Sequence, residues 1–114
     1  MFNFFLKSIP EVDASEVKKA LDEKKDCILL DVRTPMEYEK THIKTGINLS
    51  VENFSNKDKI ENLIPDKDKT IYVYCLSGSR SSQAVQAMIE YGYTNVINMK
   101  SGLLAWRAKG YPLL

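Results

Sequence analysis

The stretch Thr70-Ile71-Tyr72-Val73-Tyr74-Cys75-Leu76-Ser77-Gly78-Ser79-Arg80-Ser81-Ser82 decides the fold. Its first five residues are β-branched or aromatic and read as a buried strand. Beyond it, Ala84, Val85, Ala87, Met88 and Ile89 recur at helical spacing. Cys75 therefore stands where a strand stops and a helix is about to start. The amides of a tight loop entering a helix converge on one point, and the helix dipole adds positive potential there. A thiol at that point has its thiolate favoured, and the thiolate is the nucleophilic form of cysteine. Gly78 permits positive φ and close approach to an anion. Arg80 contributes a permanent cation. The plain alternative is a small apolar residue ending a strand; the polar loop with its glycine and arginine argues against it.

Upstream, Ile9 to Val12 reads as a short extended piece, and Asp13 or Ser15 can cap a helix running to about Glu23. Cys27-Ile28-Leu29-Leu30-Asp31-Val32 is a continuous apolar run ending in an acid, the pattern of a strand covered on both faces. Thr34-Pro35-Met36-Glu37 is a helix start with a cap, a proline at the first position and a capping box. His42 to Gly46 reads as a turn before a short strand, Ile47 to Leu49. Ser50 can cap a helix over about Val51 to Leu63, ended by Pro65 and Asp66. Downstream, Gly92 stops the helix after the cysteine loop. Asn95 to Met99 is a further strand, and Ser101-Gly102 opens a last helix from Leu103 to Lys109. Strands and helices alternate throughout, which predicts an α/β domain with a mostly parallel sheet. Ligands of such sheets bind at the carboxyl ends of strands, where Cys75 lies.

The 114 residues suffice for one domain with one sizeable core. Acids and bases nearly balance, at net charge +1, and are interspersed. No nucleic-acid or membrane-surface footprint follows from such a pattern. No apolar stretch is long enough for a bilayer, and Met1 to Leu6 lacks the form of a signal peptide. Two cysteines without paired spacing and a single histidine make a metal site unexpected, and no cofactor is expected. A reducing cytoplasmic setting fits this cysteine usage. Residues 1–8, with Phe2, Phe4 and Phe5, read as an arm beside a domain over 9–114 that covers either its own core or a neighbour.

From Ile9 to Leu113 the chain resembles a single-domain rhodanese-like sulfurtransferase. The carrying motifs are Leu30-Asp31-Val32-Arg33 with Glu37-Tyr38, His42-Ile43 with Asn48, Cys75-x-x-Gly78-x-Arg80-Ser81, and Gly102-Leu103-x-Ala105-Trp106 with Gly110-Tyr111-Pro112. The resemblance implies a three-layer α/β fold with a central, mostly parallel five-stranded sheet flanked by helices. It implies a persulfide on Cys75 that carries sulfur from thiosulfate, a polysulfide or a small persulfide to a thiol, a protein acceptor or cyanide. The site would comprise Cys75 and its loop, Leu76, Ser77, Gly78, Ser79, Arg80 and Ser81, with Asp31 and Arg33 in support. Arg80 would either hold the donor's negative charge or brace the loop through an ion pair with a nearby acid, for which Asp31 is the candidate. A monomer is expected. The residues agree with this chemistry, which is nucleophilic catalysis through a covalent intermediate held by loop amides.

Three departures from the family's usual form stand out. The usual His-Ile-Pro-Gly-Ala turn is His42-Ile43-Lys44-Thr45-Gly46, and the usual Gly-Gly before the last helix is Ser101-Gly102. Leu76 is apolar where the family is often basic or polar. A phosphatase or arsenate reductase would place five residues between cysteine and arginine; here four intervene. A carrier or docking module is the alternative from another class. A redox protein is disfavoured, because Cys27 lies at the far end of its strand and no Cys-x-x-Cys is present.

Overall fold

The computed structural model describes residues 8–114; the expected arm over 1–8 lies almost wholly outside them. In chain order the elements are β1 (Glu11–Val12), α1 (Ala14–Asp22), β2 (Cys27–Asp31), α2 (Pro35–Lys40), β3 (Ile47–Asn48), a 3-10 helix (Val51–Ser55), α3 (Lys57–Leu63), β4 (Thr70–Tyr74), α4 (Ser79–Glu90), β5 (Val96–Met99) and α5 (Gly102–Ala108). The five strands form one sheet in the order β1-β5-β4-β2-β3. Every pairing is parallel, with Leu30 opposite Val73 and Asp31 opposite Tyr74 in the β2–β4 pair.

Period-two alternation sends successive side chains to opposite faces, and both faces are covered, as the unbroken apolar runs of β2 and β4 anticipate. Leu30, Ile71 and Val73 pack on one side with Ile60, Ala84, Val85 and Met88 from α3 and α4. Leu29 and Tyr74 pack on the other with Ala14 and Val17 from α1 and Leu103 and Trp106 from α5. The result is three layers, with β4 central and Cys75 at its carboxyl end. Among the described residues no helix is long and apolar enough to cross a membrane.

Local signals explain most boundaries. Asp13 caps α1 by accepting from the Glu16 amide. Thr34, Pro35 and Glu37 form the complete capping box of α2. Gly92, at φ +97°, turns the chain after α4. One expected helix is corrected: Val51 to Leu63 is not continuous. It divides at Asn56, whose backbone is extended (φ −106°, ψ 98°) and whose side chain caps α3 through the Lys59 amide. Ser50 supplies no side-chain cap; its hydroxyl donates to Glu52 instead. Asn53 donates to the Ser50 carbonyl and Ser55 to the Glu52 carbonyl. Such local side-chain bonds compete with helical ones and favour the tighter turn.

The two unusual turns are accommodated differently. Thr45 takes φ +74°, a left-handed conformation that a β-branched residue adopts only at a cost of about 1–3 kcal/mol. Ser101 also turns left-handed, at φ +60°, and Gly102 follows at +52°. Gly102 makes the close approach: a Cβ there would stand 2.4 Å from the Cys75 carbonyl oxygen and 2.7 Å from that of Leu76. Two outcomes are expected from urea unfolding. Thr45→Gly raises the unfolding free energy by about 1 kcal/mol, because relief of strain exceeds the entropy cost of glycine. Gly102→Ala lowers it by about 2–4 kcal/mol, because the added methyl has backbone, not a flexible side chain, in its way.

Candidate active site

The site is built by the turn from β4 into α4. Gly78 is the N-cap of α4 at φ +113°, a conformation only glycine takes without strain. That turn aims the Gly78 amide at Cys75 Sγ, 3.0 Å away. Ser81, one turn into the helix and fully buried, puts its hydroxyl 3.5 Å from the same sulfur. From the other side α5 closes on the loop, with the Leu103 amide donating to the Cys75 carbonyl at 2.9 Å and Leu104 to the Leu76 carbonyl at 3.1 Å. Both carbonyls at the base of the loop are thereby taken up, and the open donors face the sulfur.

These contacts favour the thiolate. Burial, the largest single influence, pushes the thiol up; the Ser81 hydroxyl and the amides of Ser81, Gly78 and Ser77 outweigh it and hold the thiol below its ordinary value. The Ser81 hydroxyl has one proton and two acceptors in reach, Sγ and the Gly78 carbonyl at 3.1 Å. That carbonyl is also held by the Ser82 hydroxyl at 2.7 Å and the Ser82 amide at 3.1 Å. The Ser81 proton is thus free to turn to the sulfur when the sulfur carries charge, without orphaning a buried acceptor. Cys75 is only 1% exposed, so it is reached by a projecting atom, not by a flat face.

The expected charge pairing is corrected. Arg80 pairs with Glu37, not with Asp31: its two terminal nitrogens donate to the two carboxylate oxygens at 2.8 and 3.2 Å. Asp31 is fully buried and is taken by Arg33, through the Arg33 amide at 2.9 Å and the guanidinium at 2.7–3.1 Å. The reason is local. Residues 31 and 33 stand two apart at the end of β2, so the Asp31 carboxylate takes both the amide and the guanidinium of Arg33, whereas Glu37 stands on α2 within reach of Arg80. The capping box at Thr34 holds Glu37 in the first turn of α2, after the strand beside β4, but nothing in the sequence marks it over Asp31 as the partner of Arg80.

Asp31 and Arg33 form a buried pair at the end of β2. Arg33 also donates to the Thr41 carbonyl at 2.7 Å and lies over the Tyr74 ring, directly before Cys75. The Tyr74 hydroxyl accepts from the Ile43 amide at 3.1 Å. Burial and then Asp31 push that hydroxyl far above its ordinary value, so it stays neutral. His42 is structural: its ring stacks on Tyr38 at 3.9 Å and contacts the Tyr38 carbonyl at 2.8 Å. Ser77 and Ser79 are exposed at the rim, and Leu76 packs against the α1–α5 side of the core.

A fold of this topology with a cysteine loop at the end of its central strand defines a class. The family model for the rhodanese-like domain matches residues 13–109, and the chain belongs to that family. It is 30% identical over 112 residues to a sulfurtransferase of Allochromatium vinosum, covering 93% of this chain and 95% of that one. It is 31% identical over 105 residues to the thiosulfate sulfurtransferase GlpE of Coxiella burnetii, covering 90% of this chain and 88% of that one. Among solved structures, the rhodanese-related protein of Thermoplasma volcanium aligns at TM-score 0.79 and 28% identity, over 93% of this chain and 98% of that one. The sequence and family evidence together support the general sulfurtransferase class.

Two outcomes test this geometry. Arg80, above all, holds the Glu37 carboxyl down to about 2. A carboxyl depressed in the folded state stabilises the fold above its unfolded value, near 4.5, and loses that contribution as pH falls toward 2. Stability measured from pH 6 to about 2 should therefore fall less steeply below pH 4.5 in Glu37→Gln than in the parent protein. Ser81→Ala should raise the Cys75 thiol, read from thiolate ultraviolet absorbance against a Cys75→Ser control. It should also slow sulfur uptake at neutral pH by roughly threefold to tenfold, as expected for one lost bond to a charged group.

Proposed function

We propose that this chain is a sulfurtransferase whose catalytic residue is Cys75. The Cys75 thiolate attacks the outer sulfur of a sulfane donor. A bond forms between Sγ and that sulfur as the donor's own sulfur–sulfur bond breaks, and the rest of the donor leaves with the electron pair, as sulfite from thiosulfate or as a thiolate from a persulfide. An acceptor thiolate, or cyanide in an assay, then attacks the outer sulfur of the Cys75 persulfide, and Sγ leaves as thiolate. Sulfane sulfur moves, and no net oxidation occurs. The loop amides from Leu76 to Ser81 hold the anionic outer sulfur, with Arg80 bracing the loop through Glu37.

One observation carries this reading: the Gly78 amide and the Ser81 hydroxyl both address the sulfur of Cys75, at 3.0 and 3.5 Å. A cysteine serving only as core packing needs neither. The spacing of four residues between Cys75 and Arg80 supports transfer of a single atom over binding of a tetrahedral oxyanion. The acceptor is a small thiol or a thiol on a partner protein. The chain acts as a monomer in a reducing, cytoplasmic setting, where Cys75 is kept free of disulfides.

Intact-mass spectrometry tests the reading. After brief incubation with a sulfane donor, the parent protein gains one sulfur atom and loses it again to cyanide or a thiol, while Cys75→Ser and Cys75→Ala do neither. Sulfur gained by the Cys75 variants, or no gain by the parent with any donor, contradicts it.

A further inference from the structure

Resting on the sulfurtransferase reading, we infer that this site selects persulfides of uncharged or cationic small thiols over thiosulfate, with Glu37 and Glu52 as the residues that set the preference. Thiosulfate brings two negative charges to a thiolate, so its attack needs compensating cations. Both arginines that the sequence puts near Cys75 are already engaged. Arg33 is 3% exposed and locked to Asp31. Arg80 is clamped on both terminal nitrogens by Glu37.

A second carboxylate, Glu52, stands on the same end of the sheet, within electrostatic reach of Arg80. The Ser50 hydroxyl donates to Glu52 at 2.7 Å. This bond, the Glu52 amide and, more weakly, the charge of Arg80 hold the Glu52 carboxylate in its ionised form. Glu52 follows the segment that runs beside the end of β2, where the Leu49 and Val51 amides bond to the Asp31 and Val32 carbonyls. The Val32 amide in turn bonds to the Tyr74 carbonyl, so this segment and the cysteine loop share one end of the sheet. Among the described residues grouped at this end of the sheet, the Cys75 thiolate, Asp31, Glu37 and Glu52 stand against two cations, Arg33 and Arg80, each already paired with a carboxylate. Leu76, half-buried beside Cys75, adds no charge.

The loop amides remain, and they suit one sulfur anion. They do not offset the two charges of thiosulfate, for which neither Arg33 nor Arg80 is left unpaired. A persulfide of a neutral thiol meets a smaller penalty, because it carries at most one negative charge, on the outer sulfur itself, and its reacting form R–S–SH carries none. Cys75–S⁻ and R–S–SH give the Cys75 persulfide and R–SH after a proton moves from the outer sulfur to the departing thiolate. One sulfur–sulfur bond forms, one breaks, and the charge on the protein is unchanged.

The test compares thiosulfate with the persulfide of 2-mercaptoethanol, using persulfide formation on Cys75 by intact mass and kcat/KM with a common acceptor. At low salt, kcat/KM for the persulfide should exceed that for thiosulfate by about tenfold or more. Raising ionic strength from about 0.01 M to about 0.1 M shortens the screening length from about 30 Å to about 10 Å. Thiosulfate kcat/KM should then rise roughly threefold, the sign of a like-charge encounter, and the persulfide value, for a donor with at most one negative charge, should rise clearly less. Glu52→Gln on the surface, and Glu37→Gln, whose amide can still complete the capping box, should each raise the thiosulfate-to-persulfide ratio several-fold. Loading of Cys75 by both donors with thiosulfate equal or better, thiosulfate activity that falls with salt, or an unchanged ratio in both variants overturns the inference and leaves the sulfurtransferase reading intact. Failure of both donors to load Cys75 overturns the two together.

Discussion

The site depends on one backbone constraint, the left-handed turn at Gly78 that brings an amide hydrogen back onto the sulfur three residues earlier. A buried thiol left to itself resists ionisation. The turn reverses that balance by spending local donors on the sulfur instead of on water or on neighbouring carbonyls. The carbonyls that would compete are occupied from elsewhere. Those of Cys75 and Leu76 take the first amides of α5, and that of Gly78 takes Ser82. Gly102 allows α5 to come that close. Two glycines twenty-four positions apart thus shape one loop from its two sides.

Charge is arranged in two tiers around this loop. The lower tier, Asp31 with Arg33, is buried, and both carboxylate oxygens of Asp31 are hydrogen-bonded, which is the condition under which a buried pair is tolerated. It ties the end of β2 to the Thr41 carbonyl and lies against Tyr74. The upper tier, Arg80 with Glu37, is about one-third exposed and joins the cysteine loop to α2. An exposed pair contributes little to stability. Its consequence is local: it fixes the guanidinium and removes most of its net charge from the sulfur's surroundings.

Much of this was legible in the sequence because it rests on short-range chemistry. The buried strands follow from the unbroken apolar runs at 27–32 and 70–74. The capping box at Thr34 and the glycine stop at Gly92 are local signals, and the cysteine loop is marked by small residues and Gly78. The pairing of Arg80 was not legible. It depends on which acid the sheet order brings opposite the loop, and Glu37 and Asp31 are equally available to a reader of the chain. The break at Asn56 was hidden for a different reason. Asn53, Ser55 and Asn56 fit either a helix or a turn, and the choice is made by their side chains bonding to nearby backbone. The left-handed Thr45 and Ser101 were unreadable because neither residue type favours that conformation, and tertiary packing imposes it.

The most direct test of the account is a high-resolution crystal structure of the protein after loading with sulfur. Additional density for one atom is expected on Cys75 Sγ, within hydrogen-bond distance of the amides between Leu76 and Ser81, with Arg80 still paired to Glu37. Sulfur bound to Cys27 instead, or an outer sulfur on Cys75 turned away from the loop amides, would contradict it.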